Sequence, residues 1–291
     1  MQGLIVTADD FGAAVEVNDA VEAAHRTGVL TAASLMVSAP AAEDAVARAR
    51  RNPKLRVGLH LVLVEGRPVL PPDSISRLVN ADGSFRRDMA AMGALFAASA
   101  AARRQLAAEI AAQFEAFRAT GLALDHCNAH KHYHLHPLIG GLIASIGRRY
   151  GLLAARVPLE PAAILRKIEP GTPRMPSLAL APWALLLRRR FRAAGFLTCD
   201  RAFGLQWSGG MTRERLCGLI AHLPPGLTEI YLHPATSPYP GCVRGYRYRE
   251  ELEALTAPEV AAACRERGLQ LGGFADFANP QPRSPSLHRA A

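Results

Sequence analysis

Lysine is nearly missing from this chain: of 34 basic residues only Lys54, Lys131 and Lys167 are not arginine. The formal charge of +9 and a pI near 9.8 would suggest an anionic partner. Arginine and alanine are enriched together, however, as a compositional habit, and no stripe of basic and aromatic residues marks a nucleic-acid surface. Nucleic acid is therefore not an expected partner. Cysteine pairs are absent too. Cys127, Cys199, Cys217, Cys242 and Cys264 are odd in number, widely spaced and without a CxxC, which excludes a disulfide framework and predicts a reducing compartment. No charged leader with a small-residue cleavage site precedes MQGLIVTADD, so a cytoplasmic protein is expected. The longest apolar stretch, Leu178–Leu187, contains Pro182 and is too short to span a bilayer. No GxGxxG or Walker loop is present, which argues against a nucleotide cofactor. Aromatic residues make up 6% of the chain, too few for a groove that stacks on several sugar rings.

Histidine is what the chain has in plenty. DHCNAHKHYHLHP, from Asp125 to Pro137, holds five histidines, and His130, His132, His134 and His136 alternate. Imidazole is the commonest protein metal ligand, being neutral near pH 7 with a lone pair to offer. Two further pieces stand upstream: the paired carboxylates Asp9 and Asp10 in TADDFG, and His60 in VGLHL. Each alone has an ordinary explanation, since an aspartate can cap the following helix and a lone histidine can pack in a core. Together, one carboxylate and two imidazoles from the ends of different strands make a catalytic metal site with open positions. Adjacent carboxylates diverge, so one can bind metal while the other faces the attacking water. A metal-dependent hydrolase is the reading.

Strands at Gly3–Ala8, Ala32–Val37 and Val57–Leu63 alternate with helices at Ala13–His25 and Ala41–Arg50, which implies right-handed crossovers and a parallel sheet. Met89–Thr120 is alanine-rich and helical, stopped by Gly121. Leu122–Asn128 and Leu153–Val157 read as further strands, as do Phe196–Phe203, Thr228–Leu232 and Leu269–Gly272; Thr212–His222 and Pro258–Arg267 read as helices. The expectation is a single α/β domain over residues 1–278, an irregular TIM-like (β/α) barrel. A lid or substrate segment is inserted at about 158–195, and a Pro- and Ser-rich tail, 279–291, is expected to be disordered. Barrel chemistry sits at the carboxyl ends of strands, where Asp9, Asp10, His60, His130, Arg156, Asp200 and His233 are all predicted to fall. Arg156 could hydrogen-bond sugar hydroxyls; Trp207 could stack on a pyranose or belong to the core. Leu178–Leu187, followed by Arg188, Arg189, Arg190 and Arg192, is either a buried helix with a solvated basic end or an interfacial membrane segment.

TADDFG, VGLHL, NAHKHYHLHP and TEIYLHP, taken in that order from Leu4 to about Phe274, resemble the YdjC-like (ChbG-type) carbohydrate deacetylases, relatives of the NodB-type polysaccharide deacetylases in metal chemistry. LTAASLMVSAPA, ARVPLEP and QWSGGMT are most similar to the hopanoid-biosynthesis-associated HpnK group. The resemblance implies an incomplete TIM-like barrel and removal of acetyl from an N-acetylglucosaminyl hopanoid. It implies one divalent cation, Zn²⁺ or alternatively Mg²⁺, held by Asp10, His60 and His130, with Asp9 as general base and His233 as general acid. His132 and His134 would support or line the pocket, and the Phe11 backbone amide would help to hold the oxyanion. Two departures stand out: Asn128-Ala129-His130 replaces the family's usual Asp-Ser-His, and Ala235 follows His233-Pro234 where glycine is usual. A glycolipid substrate would bring the enzyme to the inner membrane surface as a peripheral protein; a homodimer is compatible with the sequence. Alternative substrates or activities are a soluble chito-oligosaccharide, phosphoester hydrolysis, which often uses two metals and more carboxylates, and binding without turnover.

Overall fold

A computed structural model describes residues 2–173 and 175–278; the tail expected to be disordered lies outside them. In chain order the elements are β1 (Gln2–Phe11), α1 (Val15–Thr27), β2 (Ala32–Leu35), α2 (Ala42–Arg51), β3 (Arg56–Leu61), α3 (Met89–Ala98), α4 (Ala100–Ala119), β4 (Cys127–Ala129), α5 (Pro137–Gly147), α6 (Ala162–Ile168), α7 (Met175–Ala193), β5 (Arg201–Phe203), α8 (Arg213–His222), β6 (Gly226–Leu232), α9 (Tyr248–Thr256), α10 (Pro258–Glu266), β7 (Gln270–Leu271) and α11 (Phe274–Phe277). The strands are all parallel, in the order β4-β3-β2-β1-β6-β5, and β7 pairs with the first residues of β1. The result is an α/β fold, a curled, open barrel of the TIM-like kind with helices outside.

The sequence dictates this locally. β1 is buried along nearly its whole length, as a parallel strand covered on both faces must be. Asp88 caps α3 by accepting from the Ala91 N–H, and Ser99 caps α4 by accepting from the Ala102 N–H, so one alanine-rich run becomes two helices. Gly121, at φ +73°, turns the chain out of α4.

Three expected strands are much shorter than their apolar runs; β5, expected over Phe196–Phe203, is only Arg201–Phe203. β4 is only Cys127–Ala129, and residues 153–157 pair through isolated bridges, Cys127 with Ala155 and Ala154 with Leu197. Asp200 does not sit at a carboxyl strand end, because it precedes β5. There it accepts from the Leu227 N–H at the opposite rim.

Between residues 158 and 195 the chain forms α6 and α7, and α7 lies along α5 and the turn at His130–Leu135. Gly140 permits that approach: a Cβ there would lie 2.5 Å from Leu187 Cδ1 and 2.9 Å from the His134 carbonyl oxygen. Among the described residues no helix is long and apolar enough to cross a membrane. Gly140→Ala should overpack the α5–α7 contact and lower stability by about 1–3 kcal/mol, measured as a shift in the urea unfolding midpoint.

Candidate metal centre

The site begins as an irregularity in β1. Its register with β2 runs Thr7 to Ala32 and Ala8 to Ala33, then shifts so that Phe11 meets Leu35. The shift falls on Asp9 and Asp10, and Asp10 takes a left-handed backbone, φ 62°. Neighbouring residues of a regular strand point to opposite faces; a bulge re-aims one of them. Both carboxylates can therefore serve one site.

Asp10 Oδ1 lies 3.3 Å from His60 Nε2 and 3.3 Å from His130 Nδ1. Ligand atoms of Asp10, His60 and His130 all fall within 4.8 Å of one another, and they form the single such group among the described residues. Asp10 Oδ1 and His60 Nε2 are buried without hydrogen-bond partners. Buried polar atoms are rarely orphaned, and a cation between these two would satisfy both. Charge agrees. Arg156 pairs with Asp9 and Glu229 while Asp10 stands beside the two imidazoles, so a divalent ion would cancel the formal excess of two negative charges on the three carboxylates and one guanidinium. The residues present fit a single divalent metal.

Asp9 is built differently. Arg156 holds it with two bonds, Nη1 to Oδ2 at 2.5 Å and Nη2 to Oδ1 at 3.0 Å, and reaches Glu229 Oε1 through Nε and Nη2. Burial by itself would raise the Asp9 carboxyl, but the Arg156 charge, with His60 and His233, holds it far below the ordinary carboxylate range. Asp10 is likewise pushed up by burial and drawn well down by His130 and His60. On His60, burial is outweighed by Asp9 and Asp10, so its pKa rises.

The histidine tract does not run as a strand. After Ala129 the chain enters a short 3-10 segment, His130–Leu135, in which Lys131 and His132 are left-handed, φ 52° and 54°. The alternate histidines therefore diverge. His130 joins the metal cluster. His132 is hydrogen-bonded through Nε2 to the Tyr231 hydroxyl at 2.8 Å. His134 is fully buried, its Nε2 3.2 Å from the Arg156 carbonyl oxygen, and burial pushes its pKa down to about 3. It supports the site from beneath and does not line a pocket. His136 caps α5.

Two expected substrate contacts need correction. Arg156 is fully buried with its guanidinium engaged by Asp9 and Glu229, so it cannot meet sugar hydroxyls. Trp207 is 6% exposed and its ring is covered by the Arg215 guanidinium, 5.0 Å from the centroid, so no pyranose can stack on it. The Phe11 side chain is core, and only its backbone borders the site.

His233 closes β6 with its ring 5.4 Å from that of Tyr246. Burial lowers its pKa although Asp10 and Asp9 pull the other way, and its Nδ1 has no partner. Its backbone N–H donates to Glu251, whose buried carboxyl is pushed up to about 7.

Sequence reasoning missed the outer rim. Glu65, left-handed at φ 55°, accepts from Lys131 Nζ at 2.5 Å and lies 4.0 Å from His130 Nε2. Beside it a cavity of about 440 Å³ opens onto Asp10 and His130, walled by Met36, Pro40, Val62 and Tyr239. The signal was the Gly- and Pro-rich loop that begins at Glu65, long enough to be functional.

An α/β half-barrel carrying a one-cation centre at the carboxyl rim of its strands defines the class of protein. The chain belongs to the YdjC-like protein family, whose model matches residues 3–266. It is 34% identical over 278 residues to a carbohydrate deacetylase of Geobacillus stearothermophilus, covering 94% of this chain and 97% of that one. It is 31% identical over 307 residues to a carbohydrate deacetylase of Homo sapiens, covering 96% and 92%. In three dimensions it resembles a solved Enterococcus faecalis V583 protein with a TM-score of 0.76 at 24% identity, covering 96% of this chain and 99% of that one, a likeness of fold alone.

Arg156→Met should leave two buried carboxylates without their counter-charge and destabilise the protein by about 3–5 kcal/mol, read from urea denaturation. Arg156→Lys keeps the charge but not the fork and should recover only part of that loss.

Proposed function

We propose that this protein is a metal-dependent N-deacetylase that removes acetyl from an N-acetylglucosaminyl hopanoid lipid. The observation that carries the chemistry is the division of labour at the β1 bulge. Asp10 is aimed into the cation cluster, while Asp9 is held beside it by Arg156. The relatives named carbohydrate deacetylases support the reaction type. Bound at Asp10, His60 and His130, a divalent ion supplies Lewis-acid polarisation of the acetamide carbonyl and lowers the pKa of water; nitrogen and carboxylate ligands suit Zn²⁺. Asp9 takes the proton as water attacks. Its pairing with Arg156 makes it a weak base, which suffices for an acidified water. His233, whose pKa burial lowers, starts neutral, receives the proton that Asp9 has taken from water and delivers it to the departing amine, since an amide nitrogen leaves poorly without one. Acetate and a free amino sugar result.

The lipid half rests on the HpnK-like wording and on the cavity beside the cluster. Its wall of Met36, Ala39, Pro40, Val62 and Val243 suits an apolar aglycone better than a second sugar. On α7, Trp183, Leu185 and Leu186 are exposed next to Arg188, Arg189 and Arg190, a pairing suited to an anionic bilayer. We place the enzyme peripherally on that surface.

Metal-loaded enzyme should release acetate from an N-acetylglucosaminyl hopanoid and not from N,N′-diacetylchitobiose; release from the sugar alone would keep the chemistry and remove the lipid. Asp9→Asn should retain bound metal and lose about 10²–10⁴-fold in kcat, measured by metal analysis beside acetate release. Loss of metal would mean that the two aspartates have exchanged roles. Replacing Arg188, Arg189 and Arg190 by glutamate should abolish sedimentation with phosphatidylglycerol vesicles, each arginine being worth about 1 kcal/mol at such a surface.

A further inference from the structure

We infer that Asn128, which lies outside the cation cluster, fixes the tautomer of His60 and so determines that Nε2 is the nitrogen offered to a cation. Asn128 is fully buried at the middle of β4. Its Nδ2 lies 3.1 Å from Asp9 Oδ1 and 2.9 Å from Ser34 Oγ, and its Oδ1 lies 2.6 Å from His60 Nδ1. A carboxylate only accepts, so the amide nitrogen and not the oxygen must face Asp9. The oxygen then faces His60 and can only accept. His60 Nδ1 must carry a hydrogen, which leaves the Nε2 lone pair toward Asp10.

The same direction follows independently from the far end of the network. The Phe274 and Ala275 N–H groups donate to the Asp125 carboxylate, and His126 Nδ1 lies 2.9 Å from Asp125 Oδ2. His126 therefore donates from Nδ1, and with one ring hydrogen it accepts at Nε2 from the Ser34 hydroxyl, 3.0 Å away. Ser34 Oγ then accepts from Asn128. With that ring form each link has one direction, and it agrees with the one that the Asp9 carboxylate imposes on Asn128. Gly58 makes room for it, because a Cβ there would lie 2.5 Å from the His126 ring. Ser34, His126 and Asp125 have the connectivity of a hydrolase triad, but all three are buried; they orient and do not react. The polar run accounts for the residue in this chain that departs from the family's usual aspartate: an amide can accept from a metal ligand and donate to the neighbouring base at once.

Outer partners of metal-bound histidines are typically worth about 10–100-fold in affinity. Asn128→Ala should therefore weaken Zn²⁺ binding by about that factor, measured by chelator competition on protein whose melting temperature shows it folded. Asn128→Asp, which keeps the acceptor for His60, should restore affinity to within a few-fold. Ser34→Ala removes one support of the amide but leaves Asp9 to fix its direction, and should weaken affinity by less than Asn128→Ala does. In Zn²⁺-loaded protein with ¹⁵N-labelled histidine, NMR should show His60 protonated at Nδ1 and metallated at Nε2. Wild-type affinity in folded Asn128→Ala, failure of Asn128→Asp to restore it, or metal on Nδ1 would each overturn the inference. If Asn128→Ala does not fold, the aspartate variant and the NMR tautomer decide alone. The inference rests on the proposed metal centre and not on the substrate: absence of acetate release from any substrate would remove the deacetylase reading and leave these measurements standing.

Discussion

Arg156 is the constraint on which the rest of the centre depends. Its guanidinium is fully buried between Asp9 of β1 and Glu229 of β6, with the Tyr231 ring 4.2 Å from its carbon. Removing three charges from water is costly, and their attraction offsets that cost only when the geometry is good and the remaining polar atoms are satisfied. Here Thr7 adds a bond to Glu229 Oε1 and Asn128 adds one to Asp9, while Glu229 Oε2 is left without a partner. The fork fixes β1 against β6 at the level where the bulge begins, and it prevents Asp9 from turning toward the cation cluster. A base beside a metal must not become a ligand. In the proposed mechanism, the pairing that weakens Asp9 as a base is also what keeps it from becoming a ligand.

Backbone strain tells the same story from another direction. The four non-glycine residues with positive φ among the described residues are Asp10, Glu65, Lys131 and His132. Such conformations cost about 1–3 kcal/mol each and persist only where the surroundings over-determine them. All four lie at the metal centre or its rim. Asp10 is strained so that two successive carboxylates can face one cavity. Lys131 and His132 are strained so that the chain leaves β4 immediately after delivering His130. Glu65 and Lys131 then meet as an ion pair across the mouth.

Much of this was legible in the sequence, and the failures have physical causes. Alternation of strand and helix gave the half-barrel, because period and punctuation are local properties. Asp10, His60 and His130 could be named because metal ligands are few in kind and their chemistry is conspicuous. Arg156 and Trp207 were misread as substrate contacts, since a sequence does not say which cation is consumed by a buried partner; Glu229 lies seventy-three residues from Arg156. The histidines alternate in sequence, with His130 read as a metal ligand and His132 and His134 as supporting or lining the pocket. Two left-handed residues destroyed that alternation, and nothing in the identity of Lys131 or His132 announces a left-handed backbone. Ser34 and Asn128 were invisible as partners because their roles exist only once three strands stand side by side.

The centre is consequently rigid below and adaptable above. Its candidate ligands and Asp9 come from β1, β3 and β4 or the residue that follows, tied by buried hydrogen bonds through Asn128 and Ser34. Its rim comes from connecting segments: residues 62–67 after β3, residues 36–40 after β2, and residues 239–243 after β6. Loops tolerate change that strands do not, so the reaction is set by the part of the molecule least able to vary. The substrate is set by the part most able to. Under the proposed function, an apolar wall on those loops, facing a candidate cation cluster on the strands, would turn a carbohydrate chemistry toward an amphiphile without moving one ligand.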